Sequence, residues 1–293
     1  MSEISARVIA DSINTAGDRL TSLVIVLPRI VLAEFNTHRA ISKNSASSRA
    51  IPFKKMLDQV LNTPFVPLKF LKEHTGMQGS VYFTGDTDGA MRSEWLHARD
   101  TAMIQAKSLS QMGVTKQLCN RLLEPFLYHT IIATATEWQN FIALRAHDQA
   151  EIHIQDAAFK ILEALNESKP KLLEEGQWHI PFGDNLDNEK LRDASYFSIF
   201  TDEDRDALAI KVATARCARV SYMNFEGKDD YSADIKLHDM LLSSGHMSPF
   251  EHCAQAAPET MSGNLQGFSQ YRKKFSVENK TDKRLINYKN LNV

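Results

Sequence analysis

Cysteine is scarce in this 293-residue chain: only Cys119, Cys217 and Cys253 occur, an odd count with no CxxC spacing. That excludes a disulfide scaffold and a zinc ribbon, and suits a reducing cytosol. Charge of one sign is lacking too, with 34 Lys and Arg against 36 Asp and Glu and a net charge of −2. Bulk attraction to nucleic acid or another polyanion is therefore not expected, and any anion site must be local. The longest apolar run, around residues 23–33, is broken by Pro28 and Arg29 and is too short to span a membrane. The opening "MSEISARVIADS" has no basic segment followed by an apolar one, so no signal peptide is expected and a cytoplasmic location is. Glycine-rich phosphate loops are missing, as are a GxSxG elbow and a cysteine beside a base motif. A nucleotide bound here would be held by side chains and helix ends.

The composition that remains, 43% hydrophobic and 24% charged, is that of an ordinary soluble protein. The length suits one large domain or two small ones. Leu23–Leu27 reads as a buried strand. After Pro28 a short helix follows, with Val31, Phe35 and His38 at i, i+4, i+7. Residues 62–90 read as a long surface excursion, and Met91 to about Ser168 as helical. Trp95, Ala98, Ala102, Ala106 and Leu109 form one stripe, which stops at Gly113. Trp138, Phe141, Ile142 and Arg145 form another, and an arginine on an apolar stripe needs an anionic or hydrogen-bonding partner. The proline-, glycine- and charge-rich span 169–206 is the best candidate for an internal boundary. Beyond it, "RDALAIKVATARCARVSY" reads as a helix running into extended chain.

Two stretches carry chemistry. "NTHRAISKNSASSRAIP" (36–52) holds five hydroxyls, Asn44, His38, Arg39, Lys43 and Arg49, and no acidic residue. Neutral donors with forked cations are what a phosphate needs. The same composition serves a solvated serine-rich linker or a phosphorylation target, but a position directly after a buried strand and helix favours the anion site. In "GHMSPFEH" (245–252), Gly245 stands where a left-handed helix cap belongs. Ser248, Pro249 and Glu251 read as a capping box with proline at the first helical position. His246 would be pinned in the corner between two helices. His246, His252 and Cys253 complete no zinc set, and no metal is expected. Arg121 and Arg145 both stand in helical and apolar company, where a satisfied structural arginine is the more common outcome.

Taken together these pieces resemble the flavin-dependent thymidylate synthases. The family signature RHR, seven residues, then Ser is matched by Thr37-His38-Arg39 and Ser47, with Arg49 two further on. The family's ARxSY and GHxSPFEH segments appear as "ARVSY" (218–222) and "GHMSPFEH", and N-F-x-x-L-R as Asn140–Arg145. Their order is rearranged, because the SPFEH segment usually precedes RHR and here lies far downstream of it. Permutation is tolerated when termini meet at the surface.

The resemblance implies an α/β fold of the α+β type, with an antiparallel sheet core and packed helices. It implies reductive methylation of dUMP to dTMP, with FAD reduced by NADPH and 5,10-methylenetetrahydrofolate as carbon donor, in a homotetramer. By matched position His38, Arg39, Asn140 and Ser248 would contact the flavin, with His246 near flavin and folate. Ser47, Ser48, Arg49 and Arg121 would hold dUMP, and Arg145 would face the uracil and stabilise charge on its ring oxygen. Ser47 and Arg145 are thus the candidate catalytic residues. Three departures stand out: Thr37 for arginine, Ser45 for glutamate and Glu34 for glutamine. They keep open a C5-hydroxymethylation of dUMP or dCMP. Arg272, in "GFSQYRKKFSVENK", is placed to supplement the incomplete first motif. A nucleotide- or RNA-binding relative without catalysis is the reading from another class, supported only by the basic residues from Arg272 to Lys289.

Overall fold

The computed structural model describes residues 3–76, 79–183, 186–194, 201–220 and 229–278. It opens with a hairpin of β1 (Ser5–Asn14) and β2 (Arg19–Pro28). Asn14 shapes the turn by accepting from the amides of Ala16 and Asp18. A 3-10 turn at Arg29–Val31 leads to α1 (Leu32–Asn36) and then to β3 (Ser42–Ser45). Next come α2 (Phe53–Asn62), α3 (Asp86–Gln111) and α4 (Lys116–Cys119). A 3-10 stretch at Asn120–Phe126 feeds β4 (Tyr128–Ala135), which α5 (Gln139–Arg145) and α6 (Ile152–Glu167) follow.

The span 169–206 contributes β5 (Lys171–Leu173), β6 (Trp178–His179) and α7 (Asn188–Asp193). The remainder holds α8 (Asp202–Arg219), α9 (Tyr231–Ser244), β7 (Ala254–Ser262) and β8 (Leu265–Gln270). Two sheets result. One has five strands in the order β3-β4-β2-β1-β5, antiparallel except where β5 runs parallel to β1. The other has the order β6-β7-β8 and is antiparallel throughout.

Strand periodicity explains how the first sheet is covered. Leu23, Ile25 and Leu27 alternate onto one face with Ile131, Ala133 and Ala135 of β4. There they meet Phe35 of α1, Phe141 of α5 and Ile154, Ala157, Ala158 and Ile161 of α6. Each fully buried Leu, Ile or Phe contributes roughly 1.5–3 kcal/mol. On the opposite face Ile9, Val24 and Ile132 pack against Cys217 of α8 and Val220. Covered on both sides, β2 has the near-continuous apolar run of a buried strand.

Two expectations need correction. The span 91–168 is not helical throughout, because Tyr128–Ala135 is a central strand paired with β2 and β3. Thr130, Ile131, Ile132 and Thr134 are β-branched, lose side-chain freedom in a helix and pack well on a pleated surface. The surface excursion ends at Asp86 rather than 90, and Phe65 within it is buried edge-on against Trp95, Tyr128 and His153.

A buried polar chain joins the sheets. Ser12 Oγ lies 2.8 Å from His179 Nδ1, and His179 Nε2 lies 2.9 Å from Ser22 Oγ. Ser22 bonds Thr134 at 2.6 Å, and Thr134 bonds His252 Nδ1 at 2.8 Å. Strands β1, β2, β4 and β6 thus meet the SPFEH corner through hydroxyls and imidazoles alone. Burial holds His179 and His252 neutral, each lowered to about 3.

Candidate active site

His38 ends the turn after α1, buried with its ring edge-on to Phe141 at 4.9 Å between centroids. Arg145, the last residue of α5, donates from Nε to His38 Nε2 over 3.0 Å. That is the partner which an arginine on an apolar stripe requires. His38 must be neutral at Nε2 to accept this bond. Burial lowers its pKa, and the charges of Arg145 and Lys43 lower it further. The terminal nitrogens of Arg145 have no protein partner among the described residues. Lys43 of β3 donates to the His38 carbonyl at 2.6 Å and lies 5.5 Å over the Phe35 ring. Burial brings Lys43 down to about 8, opposed by the charge of Glu251.

The serine-rich stretch turns sharply after β3. Ser47 accepts at its carbonyl from the amides of Ala50 and Ile51. Ser47 and Arg49 then line a cleft of about 440 Å3 together with His246, Lys116, Gln117 and Pro249. Residues nearly two hundred positions apart in sequence therefore line one cleft. Ser48 lines a different space, a small pocket with Arg29, Gln59, Glu124 and His129.

Gly245 has φ +68° and closes α9, as its position in the sequence predicts. The amides of Gly245 and His246 bond the carbonyls of Leu242 and Leu241, which fixes His246 at the mouth of the cleft. The capping box expected at Ser248 and Glu251 does not form. The 3-10 turn Ser248–Glu251 has no side-chain cap, and Glu251 instead accepts from Arg272 at 2.8 Å. A tertiary cation outcompetes the local amide for that carboxylate.

Arg39, Arg121 and Asn140 are exposed; none of them lines the cleft, and among the described residues none has a side-chain hydrogen bond to His38 or Arg145. Arg39 and the Asn140 side chain have no partner among the described residues. At the position of the missing first arginine, Thr37 turns its hydroxyl back onto the Glu34 carbonyl at 2.7 Å. Arg272 is engaged by Glu251 and Glu278. Ser221 and Tyr222 of "ARVSY" lie outside the described residues, as do 279–289 of the basic segment. Sequence reasoning missed Lys116 and Gln117, which carry no periodic or motif signal, and counted Lys43 only among the cations of the serine-rich stretch. Cys253 is buried, its thiol pushed up to about 12, and His252 Nδ1 is taken by Thr134.

The sequence model of the thymidylate synthase complementing protein family, Thy1, matches residues 20–171, just over half of the chain. The chain belongs to that family. The Thy1 match spans both the His38–Arg145 pair and the Ser47–Arg49 turn. Among solved structures, the chain is similar to the UMP/dUMP methylase PolB from Streptomyces cacaoi bound with 5-Br dUMP, at 14% identity and a TM-score of 0.44. That match covers 57% of this chain and 91% of PolB. The complex of PolB with 5-Br UMP gives 13% identity, a TM-score of 0.46 and coverages of 57% and 90%. No curated protein sequence matches the chain. Among the described residues, no helix of this Thy1 member is long and apolar enough to cross a membrane.

Proposed function

We propose that this Thy1 member modifies C5 of a pyrimidine deoxynucleotide and converts dUMP to dTMP. The observation that carries this reading is the cleft in which Ser47 and Arg49 meet His246. The Ser47 hydroxyl and the Arg49 guanidinium, which has no partner among the described residues, suit a nucleotide phosphate. Arg145, held at Nε by neutral His38, offers its terminal nitrogens to the oxygen of the base. A fixed cation there stabilises the negative charge that develops on the ring when C5 acts as the nucleophile. No cysteine is needed for that step.

The donor set suits a flavin dinucleotide. Arg39 and the Asn140 side chain are exposed donors without partners among the described residues, fit for a pyrophosphate, and Leu144, one turn on from Asn140 in α5, is 56% exposed. When bound, FAD reduced by NADPH supplies the hydride that completes the methyl group. The carbon comes from 5,10-methylenetetrahydrofolate, which His246 would border. Arg121 projects from the surface, as a residue serving a site completed in a homotetramer would.

The first test is binding. Purified protein should take up FAD, with its visible absorption, and bind dUMP in calorimetry. Failure to bind either one ends the proposal.

One observation favours a second reading. Glu34 Oε2 is buried without a hydrogen-bond partner among the described residues. A carboxylate oxygen accepts from an amino group, so a cytosine nucleotide, with methylation or hydroxymethylation at C5, is the alternative. Tighter binding of dCMP than of dUMP would decide for it.

A further inference from the structure

The backbone of the 47–51 turn has an unusual distribution of partners. Its carbonyls are taken: Ser47 O by the amides of Ala50 and Ile51, Ser48 O and Ile51 O by Asn120 Nδ2 at 2.6 and 3.0 Å, and Ala50 O by Lys116 Nζ at 3.0 Å. The amides of Ser47, Ser48 and Arg49 find no acceptor among the described residues. Successive free amides in a turn form an anion-binding concavity. Asn120 is fully buried, and making its two bonds leaves its own Oδ1 buried without a partner among the described residues. An orphaned acceptor costs stability. A residue chosen for packing alone would not carry one.

We propose that Asn120 is a positioning residue for the phosphate site. By holding the Ser48 and Ile51 carbonyls out of the cleft, its side-chain amide keeps the free amides of Ser47–Arg49 for the nucleotide phosphate. This rests on the reading of the cleft as a nucleotide site. Lys116 does the same for Ala50, and it also lines the cleft.

Two measurements test it. In Asn120→Ala the KM for dUMP rises about tenfold or more while kcat stays within about twofold, and inhibition by inorganic phosphate weakens in parallel. Asn120→Asp, equal in shape but unable to donate to two carbonyls, is at least as impaired. A fall in kcat at unchanged KM, or no change in either, overturns the assignment. The second measurement uses the wild-type chain and does not depend on whether a variant folds. Amide hydrogen exchange at Ser47, Ser48 and Arg49 is fast alone and slowed by dUMP. Protection before dUMP is added, or none after it, overturns the proposal. Ser47→Ala and Arg49→Ala separate the two levels. If they raise KM and the Asn120 variants do not, only the positioning role falls. If none of them does, the phosphate reading falls with it.

Discussion

Arg145 Nε and His38 Nε2 lie 3.0 Å apart, joining the end of α5 to the turn before β3 across 107 positions of sequence. The bond requires a neutral imidazole and leaves the two terminal nitrogens of Arg145 without a partner among the described residues. The pair thus sets a cation on a neutral anchor, which suits the proposed stabilisation of charge on a nucleotide base.

Replacing Arg145 should be visible in the histidine. Burial is the largest cause of the lowered His38 pKa, and the Arg145 charge is the next. In Arg145→Gln, His38 titrates at higher pH than in the wild type, read from its imidazole proton resonance. An unchanged titration contradicts the pairing. Turnover falls by about 100-fold in the same variant. Arg145→Lys does not restore it, because lysine is a point donor without the forked geometry that anchors on His38 and still reaches a ligand.

Acid should unfold the protein early. His129, His179 and His252 are buried and neutral, each lowered to about 3. In the unfolded chain they take up protons near pH 6.5. The unfolded state thus binds more protons between those values, and stability is lost as pH falls below about 6.5. The loss approaches about 1.4 kcal/mol per pH unit for each histidine. Thermal melting at about pH 7.5 and about pH 5.5 checks this, with the midpoint lower in acid. A midpoint that rises in acid contradicts the neutral network.

Gly267 should tolerate no side chain. Its φ is +71°, and a Cβ there would lie 2.2 Å from Asp18 Oδ2 and 2.3 Å from Asn14 Nδ2. Those two side chains shape the β1–β2 turn, and Asn14 Nδ2 also bonds the Gly267 carbonyl. Gly267→Ala costs about 3 kcal/mol or more in urea unfolding. Gly113→Ala, at φ +85° but facing open space, costs only about 1 kcal/mol. Equal losses at the two sites contradict this packing.

Legibility in the sequence followed the range of the interaction. The β2 strand and the left-handed Gly245 were readable because each depends on a few adjacent residues. Strand β4 was not, because its alanines share the composition of the helices on either side and only pairing with β2 and β3 fixes it. Glu251 followed the local rule for a capping box until Arg272, a tertiary partner, took its carboxylate. The serines and arginines at 36–52 form a local pattern, and that pattern suggested the proposed anion site. The lining that Lys116, Gln117 and His246 add to the cleft, and the bonds from Asn120 to the turn, exist only after folding. A single lysine or asparagine leaves no pattern to read.

The most direct measurement is the mass of the product nucleotide. The protein is incubated with dUMP, FAD, NADPH and 5,10-methylenetetrahydrofolate, and in parallel with dCMP. The expected result is that dUMP gains one methyl group at C5, with Ser47→Ala and Arg49→Ala raising the KM for dUMP. A hydroxymethylated product, reaction with dCMP alone, or dUMP recovered unchanged would contradict it.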